Sequence, residues 1–301
     1  MDCARVFNKL VEETANYVTF NKIRTMVLGI SGGIDSTIVA AICREVYLKT
    51  GVPLIGRSLP IKNKEDEFSV SKLVGRAFCN NFCTVELGDL YKEYSEFMSE
   101  ENVALLGEVK YDQSPIQEGN IQARLRMMYL YNIAGCTKGM VMSTDNQTEY
   151  QLGFWTIHGD VGDFDPIQDL WKTEVFELAE WLLEYYNAKI LDSKEAEVKY
   201  TKCYEALEKS VALIPTDGLG ISNSDLEQIG ADSYAVVDTI LKAYIYDNNK
   251  TSKKFIFDVI LKEYPQEVID NVISRHKTSA FKREKAPIKI NLTFNDKMGL
   301  I

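Results

Sequence analysis

The feature that most restricts how this chain can fold is a junction near its N-terminus. Residues 25–30 (T-M-V-L-G-I) form a short apolar run that stops at Ser31-Gly32-Gly33. Directly after it, across residues 34–47, Ile34, Ile38, Ala41, Ile42 and Val46 recur at helical spacing. The pattern reads as a buried strand, a glycine turn and a helix. Further apolar runs at residues 52–61, 81–87 and 139–144 alternate with helical stretches at 63–78, 89–99 and 117–134. Strands separated by helices predict a parallel sheet covered on both faces.

Residues 153–169 break this rhythm with glycines, aspartates and Pro166, and read as loop. Asp169 is the predicted N-cap of a helix over 171–186, whose Val175, Leu178, Ala179, Leu182 and Leu183 form a broad apolar stripe. Beyond residue 192 the chain reads as helical, apart from a turn-rich stretch at 215–223; the tail after Ala280 reads as extended or mobile. With no repeat, low-complexity tract or linker, one domain spanning residues 1–301 is expected.

Composition narrows the function classes. The 301 residues are 46% hydrophobic and 26% charged, ordinary for a globular protein that buries a full core. A net charge of −10 disfavours nucleic acid or an anionic membrane as the main partner. No window approaches the roughly 18 uninterrupted apolar residues of a membrane span, and no signal-peptide core follows Met1. The six cysteines, Cys3, Cys43, Cys79, Cys83, Cys136 and Cys203, contain no C-x-x-C, and only His158 and His276 could join them on zinc. Cys79 and Cys83 are expected to share a helix face as packing residues. The reading is a reduced, cytoplasmic protein.

The chemistry concentrates in Gly29-Ile30-Ser31-Gly32-Gly33-Ile34-Asp35-Ser36-Thr37. A turn from strand into helix presents unpaired N–H groups and the positive end of the helix dipole, which together favour an anion. Adjacent glycines let the backbone approach phosphate oxygens closely. Ser31, Ser36 and Thr37 add hydroxyls. A carboxylate at Asp35 is a poor phosphate ligand by itself, and so suggests a bridging Mg²⁺. Neither the lysine-bearing G-x-x-x-x-G-K-[ST] loop nor the dinucleotide-binding G-x-G-x-x-G is present.

The S-G-G-x-D-S loop resembles the signature of the ATP pyrophosphatase (PP-loop) superfamily. Three further segments are similar to the NAD synthetase family within it. They are Asn120-Ile121-Gln122-Ala123-Arg124-Leu125-Arg126-Met127, Ser143-Thr144-Asp145-Asn146-Gln147-Thr148-Glu149, and the ordered series Gly153-Phe154-Trp155-Thr156, Gly159 to Asp163 and Leu170-Trp171-Lys172-Thr173. The similarity covers about residues 25–180. It implies an adenine nucleotide alpha-hydrolase-like, doubly wound α/β fold with a helical C-terminal third. It also implies ATP-dependent amidation of nicotinic acid adenine dinucleotide (deamido-NAD) to NAD through an acyl-adenylate.

By the same resemblance, Gly29, Ile30, Ser31, Gly32, Gly33, Ile34, Asp35, Ser36, Thr144, Lys172 and Thr216 would bind ATP, with Ser31, Ser36 and Lys172 positioning it. Asp35 and Glu149 would hold Mg²⁺. Arg124, Asp163 and Lys282 would contact deamido-NAD, with Arg126 supporting the fold, and Asp160 or Lys277 standing in if the alignment slips. The chain departs from the family pattern in three places. Phe281 replaces a histidine, the stretch after Thr216 is shortened, and Ile157-His158 stands where the family has a substrate lysine. Only 28 residues precede Gly29, too few for a glutaminase domain, so ammonia is the expected nitrogen donor. A homodimer is implied by the resemblance alone. The rival readings are another PP-loop adenylating enzyme and a non-catalytic ATP sensor.

Overall fold

The structure, a computed structural model, describes residues 1–61, 65–106, 115–213, 225–247 and 261–284. Its centre is a parallel sheet of β1 (Met26–Gly29), β2 (Leu54–Ser58), β3 (Asn81–Thr84) and β4 (Met140–Val141), in the order β3-β2-β1-β4. Met26 pairs with Leu54 on one side and with Met140 on the other. Chain order therefore reverses at β1, and the loops leaving β1 and β4 face each other across the crevice where open α/β sheets gather ligands. The strands are shorter than the apolar runs that foretold them. Hydrogen bonds from Val85 and Leu87 to Ser58 and Pro60 carry the β2–β3 pairing onward, and Met142 bridges to Phe164 beyond β4.

Alternation along β1 divides the interior. Met26, Leu28 and Ile30 join one core with α1 (Cys3–Phe20), α2 (Ile34–Thr50), α3 (Glu65–Phe78), α7 (Lys172–Ile190) and α8 (Lys194–Val211). Val27 joins the opposite core with Met127, Leu130 and Ala134 of α5 (Pro115–Thr137) and with Leu87, just before α4 (Gly88–Leu106). A Cβ on Gly29 would come within 3.2 Å of Leu130, so glycine there lets α5 lie close to the strand. Four helices pack around α2, which is why its sequence is apolar on nearly every face. Among the described residues no helix is long and apolar enough to cross a membrane.

A third cluster gathers the C-terminal elements. Leu152 of α6 (Gln147–Leu152) and Trp171 pack with α9 (Asp225–Ile229), α10 (Tyr234–Asp247) and α11 (Gln266–Thr278). One buried carboxylate ties this layer to the start of α7. Asp238 accepts from the Thr148 hydroxyl at 2.5 Å and from the Thr173 N–H at 3.0 Å, while Thr148 Oγ1 accepts from the Lys172 N–H at 2.9 Å.

Three sequence expectations are corrected. Asp169 does not cap α7; the helix starts at Lys172, and Thr148, Asp238 and the Glu174 carboxylate (3.0 Å to the Trp171 N–H) satisfy its first donors. Cys79 and Cys83 share no helix, because α3 ends at Phe78; Cys79 packs over Gly56, and Cys83 is exposed on β3. The tail does not become extended at residue 280, since α12 (Ala280–Arg283) adds a helical turn.

Asp238→Ala should therefore destabilise the fold by about 1–3 kcal/mol, because two donors lose their buried acceptor. Urea unfolding near neutral pH measures this, and an unchanged midpoint would mean that water replaces the carboxylate without cost.

Candidate functional site

The glycine turn is fixed from three directions. Gly32 has φ +93°, in the region that favours glycine. The Ser31 hydroxyl accepts from the Gly33 N–H at 3.1 Å and meets Ser36 Oγ at 3.0 Å. Ser36 and Thr37 both donate to the Gly33 carbonyl, and Ser210 on α8 donates to the Gly32 carbonyl at 2.8 Å. Gly33 is the N-cap of α2 and has no side chain to cap with. The first donors of α2 are thus left to a ligand.

Next to this turn lies a buried charge cluster. Lys172, 2% exposed, donates from Nζ to Asp35 Oδ2 at 2.5 Å and to Glu149 Oε1 at 3.1 Å. Burial alone would lower the lysine's pKa; the Asp35 and Glu149 charges outweigh it and hold the ammonium well above its ordinary value. Asp35 and Glu149 each stand in the first turn of a helix, favourable against the dipole. Asn146, fully buried, donates from Nδ2 to Asp35 Oδ1 at 2.9 Å and accepts the Glu149 N–H at 3.1 Å as the N-cap of α6. The two carboxylates already share one cation, and their hard oxygens suit Mg²⁺. Among the described residues no group of three or more acidic, His or Cys side chains is arranged for a metal. Water and phosphate oxygens would complete the coordination.

A cavity of about 280 Å³ opens beside the cluster. Gly29, Ile30, Ser31, Asp35, Ser36, Thr144 and Glu149 line it, so the structure brings most of the sequence-derived ATP residues together. Gly32, Gly33 and Ile34 complete the turn, and Lys172 reaches it through Asp35. Thr216 and Pro287 lie outside the described residues.

The residues assigned to deamido-NAD are less clustered. Arg126, not Arg124, lines the cavity and bonds the Leu59 carbonyl at 3.0 Å. Arg124 is exposed and reaches the Ile157 carbonyl at 3.3 Å. Asp163 accepts from the Tyr131 hydroxyl and the Val141 N–H, both at 2.9 Å. Lys282 turns inward to the carbonyls of Gly153 (2.7 Å) and Trp155, whereas Lys277 is exposed against the Tyr244 ring. Arg275 and Arg283 bond the neighbouring carbonyls of Leu152 and Gln151. The C-terminal basic residues thus satisfy the carbonyls at the end of α6. His158 is exposed in the loop at φ +58°.

Several functional-site residues escaped the sequence reading. Asn146 had a usable signal, an Asn three residues before Glu149, which is an N-terminal capping pattern. Ser210 and Asp238 had none, because they reach the site only through the packing of α8 and α10. Asp145 and Asp160, which line the cavity, stand in motifs that the sequence marked, Asp160 as the stand-in for Asp163, but their burial and that of nearby Asp165 gave no signal. Burial raises Asp160 to about 6, against the Thr156 N–H and the charges of Lys282 and Arg126, and raises Asp165 to about 7. It pushes Asp145 well above its ordinary value, although the Ser143 hydroxyl bonds it at 2.7 Å.

These buried charges have measurable consequences. Lys172→Met removes the buried cation from two partly exposed carboxylates and should cost about 1–3 kcal/mol in metal-free buffer, read by urea unfolding. Asp165 binds its proton more tightly folded than unfolded. Its contribution therefore favours the fold at low pH and is lost as pH rises from about 4 to about 7. Asp165→Asn should raise stability at pH 8 and not at pH 4, by at most about 4 kcal/mol. Parallel pH profiles for the two proteins would contradict this.

Comparison with known proteins agrees with the geometry. Residues 6–286 match the family described as NAD synthase. The NH(3)-dependent NAD(+) synthetase of Thermoplasma acidophilum is 34% identical over 245 residues, covering 78% of this chain and 85% of that protein. The glutamine-dependent NAD(+) synthetase of Aquifex aeolicus is 28% identical over 92% of this chain, which spans 44% of that relative's length. Among solved structures, the NMN synthetase from Francisella tularensis shares the fold with a TM-score of 0.73 at 23% identity, covering 97% of this chain and 100% of that one. The family match runs through the glycine turn, both carboxylates and Lys172, and the chain belongs to the NAD synthase family.

Proposed function

We propose that this protein amidates deamido-NAD to NAD, using ATP and ammonia and releasing AMP and pyrophosphate. The observation that carries the reading is the convergence of the S-G-G-x-D-S turn with Asp35, Glu149 and Lys172 at the sheet's switch point. Uncapped N–H groups at the start of α2 suit the β- and γ-phosphates of ATP, and Ser31 and Ser36 add hydroxyl donors there. Thr144, on the facing loop, lines the same cavity and would contact the adenosine end. Asp35 and Glu149 would hold Mg²⁺, which when bound neutralises charge on the pyrophosphate leaving group.

The reaction asks little acid–base chemistry of the protein. A nicotinate carboxylate oxygen attacks the α-phosphorus as the bond to the β-phosphate oxygen breaks, giving an acyl-adenylate and pyrophosphate. Ammonia nitrogen then attacks the acyl carbon, the carbon–oxygen bond breaks, AMP departs, and the nitrogen loses a proton. Alignment and fixed positive charge supply the catalysis. Lys172, adjacent to the turn, remains a cation beside the departing pyrophosphate. Arg124, exposed beside the Ile157 carbonyl, would be available to an anionic part of the dinucleotide. Asp163 and Lys282 would exchange their bonds within the chain for substrate. Ammonia as donor is supported by the NH(3)-dependent relative that the chain covers over 85% of its length.

One observation favours a second acceptor. Both Asp163 carboxylate oxygens, assigned to the dinucleotide, are engaged by Tyr131 and Val141. The acid counterpart of nicotinamide mononucleotide is therefore the alternative, in keeping with the NMN synthetase that shares this fold. For the assembly, a homodimer is the reading. Leu90, Phe97 and Met128, exposed on α4 and α5, offer apolar surface to a second copy. A cytoplasmic setting accords with six unpaired cysteines.

The test is pyrophosphate and dinucleotide analysis with ATP and Mg²⁺, supplying deamido-NAD or nicotinic acid mononucleotide, and ammonium or glutamine. Ammonium-dependent NAD formation is expected, with kcat/KM falling at least about a hundredfold in Asp35→Ala. Amidation of the mononucleotide alone would move the substrate to the second acceptor. ATP binding without pyrophosphate from either acceptor would overturn the synthetase reading.

A further inference from the structure

Asn146 stands between the two carboxylates and divides their oxygens. Its Nδ2 donates to Asp35 Oδ1 at 2.9 Å, and its backbone N–H donates to Glu149 Oε2 at 3.3 Å. The oxygens left over, Asp35 Oδ2 and Glu149 Oε1, are the two that meet the Lys172 ammonium at 2.5 and 3.1 Å. One residue thus takes one oxygen from each carboxylate and leaves the other of each converging on a single cation. Asn146 is fully buried, and its bond to Asp35 spans 111 positions of sequence. An N-cap needs only a side-chain acceptor for the Glu149 N–H, which Asn146 Oδ1 supplies at 3.1 Å. The amide donor on Asp35 is additional to capping.

We propose that Asn146 is a positioning residue for the divalent cation. By fixing the rotation of the Asp35 and Glu149 carboxylates relative to each other, it presents one oxygen of each to the metal. The proposal rests on the reading that these two carboxylates hold the metal that accompanies ATP. Groups that orient metal ligands from behind typically contribute about ten- to a hundredfold in metal affinity. Serine separates the two roles of Asn146, because its hydroxyl can still cap α6 and cannot reach Asp35 as the amide does.

The experiment measures binding of Mn²⁺ with an ATP analogue bearing a methylene between the α- and β-phosphates, by water-proton relaxation, in wild type and Asn146→Ser. Binding of the same analogue in EDTA is measured alongside. For Asn146→Ser the expected result is about ten- to a hundredfold weaker Mn²⁺-dependent binding, with metal-free analogue binding within about twofold of wild type. The KM for Mg²⁺ should rise while kcat at saturating Mg²⁺ recovers. Wild-type Mn²⁺ affinity in a folded Asn146→Ser protein would reduce Asn146 to a helix cap. No metal dependence in wild type would overturn the carboxylate assignment, and the role of Asn146 with it. If Asn146→Ser does not fold by circular dichroism, Asn146→Thr retains the capping hydroxyl and carries the same expectation.

Discussion

The structure depends on one buried ammonium. Lys172 stands at the first position of α7, where the helix dipole disfavours a cation, and it is almost wholly removed from water. Its position is tolerable because Asp35 and Glu149 meet it from the first turns of α2 and α6. Three helix starts therefore converge on one point. The ammonium could not be buried there without the two carboxylates, since desolvation penalises an isolated ion far more than a matched set. The same set stands beside the glycine turn, with both carboxylates on the wall of the cavity.

Holding three helix starts together takes support from distant parts of the chain. Ser210 on α8 fixes the Gly32 carbonyl, and Asp238 on α10 satisfies the beginning of α7 through Thr148 and Thr173. The short helix α6 is tied at both ends. Asn146 caps its start, while Arg275 and Arg283 take carbonyls of its last turn and Lys282 takes the one just after it. A helix this short has little stability of its own. Its carboxylate is rigid because tertiary contacts replace the hydrogen bonds it lacks.

The cavity edge carries a second electrostatic feature. Asp145 and Asp160 on the cavity lining, and Asp165 near Asp145, are all pushed above the usual carboxylate range by burial. Such groups weaken the fold at neutral pH. Stability is given up at the functional site and recovered in the cores on either side of the sheet.

The strand–glycine–helix junction, the alternation of strands and helices, and the ordered motifs from Ser31 to Lys172 were legible in the sequence. They are local: period, turn chemistry and spacing are set by neighbouring residues. Exact strand ends, the cap of α7 and the position of Cys83 were not, because pairing and packing decide them. The sequence also marked Asp35, Glu149 and Lys172 as functional, yet could not say that the lysine neutralises both carboxylates. Nor could it say that Asn146 joins two of those helices, or that Lys282 and not Lys277 turns inward. Those facts concern groups 23 to 137 positions apart. Only the sheet's reversal at β1 and the packing of the helices around α2 bring such groups within bonding distance, where burial makes each pairing obligatory.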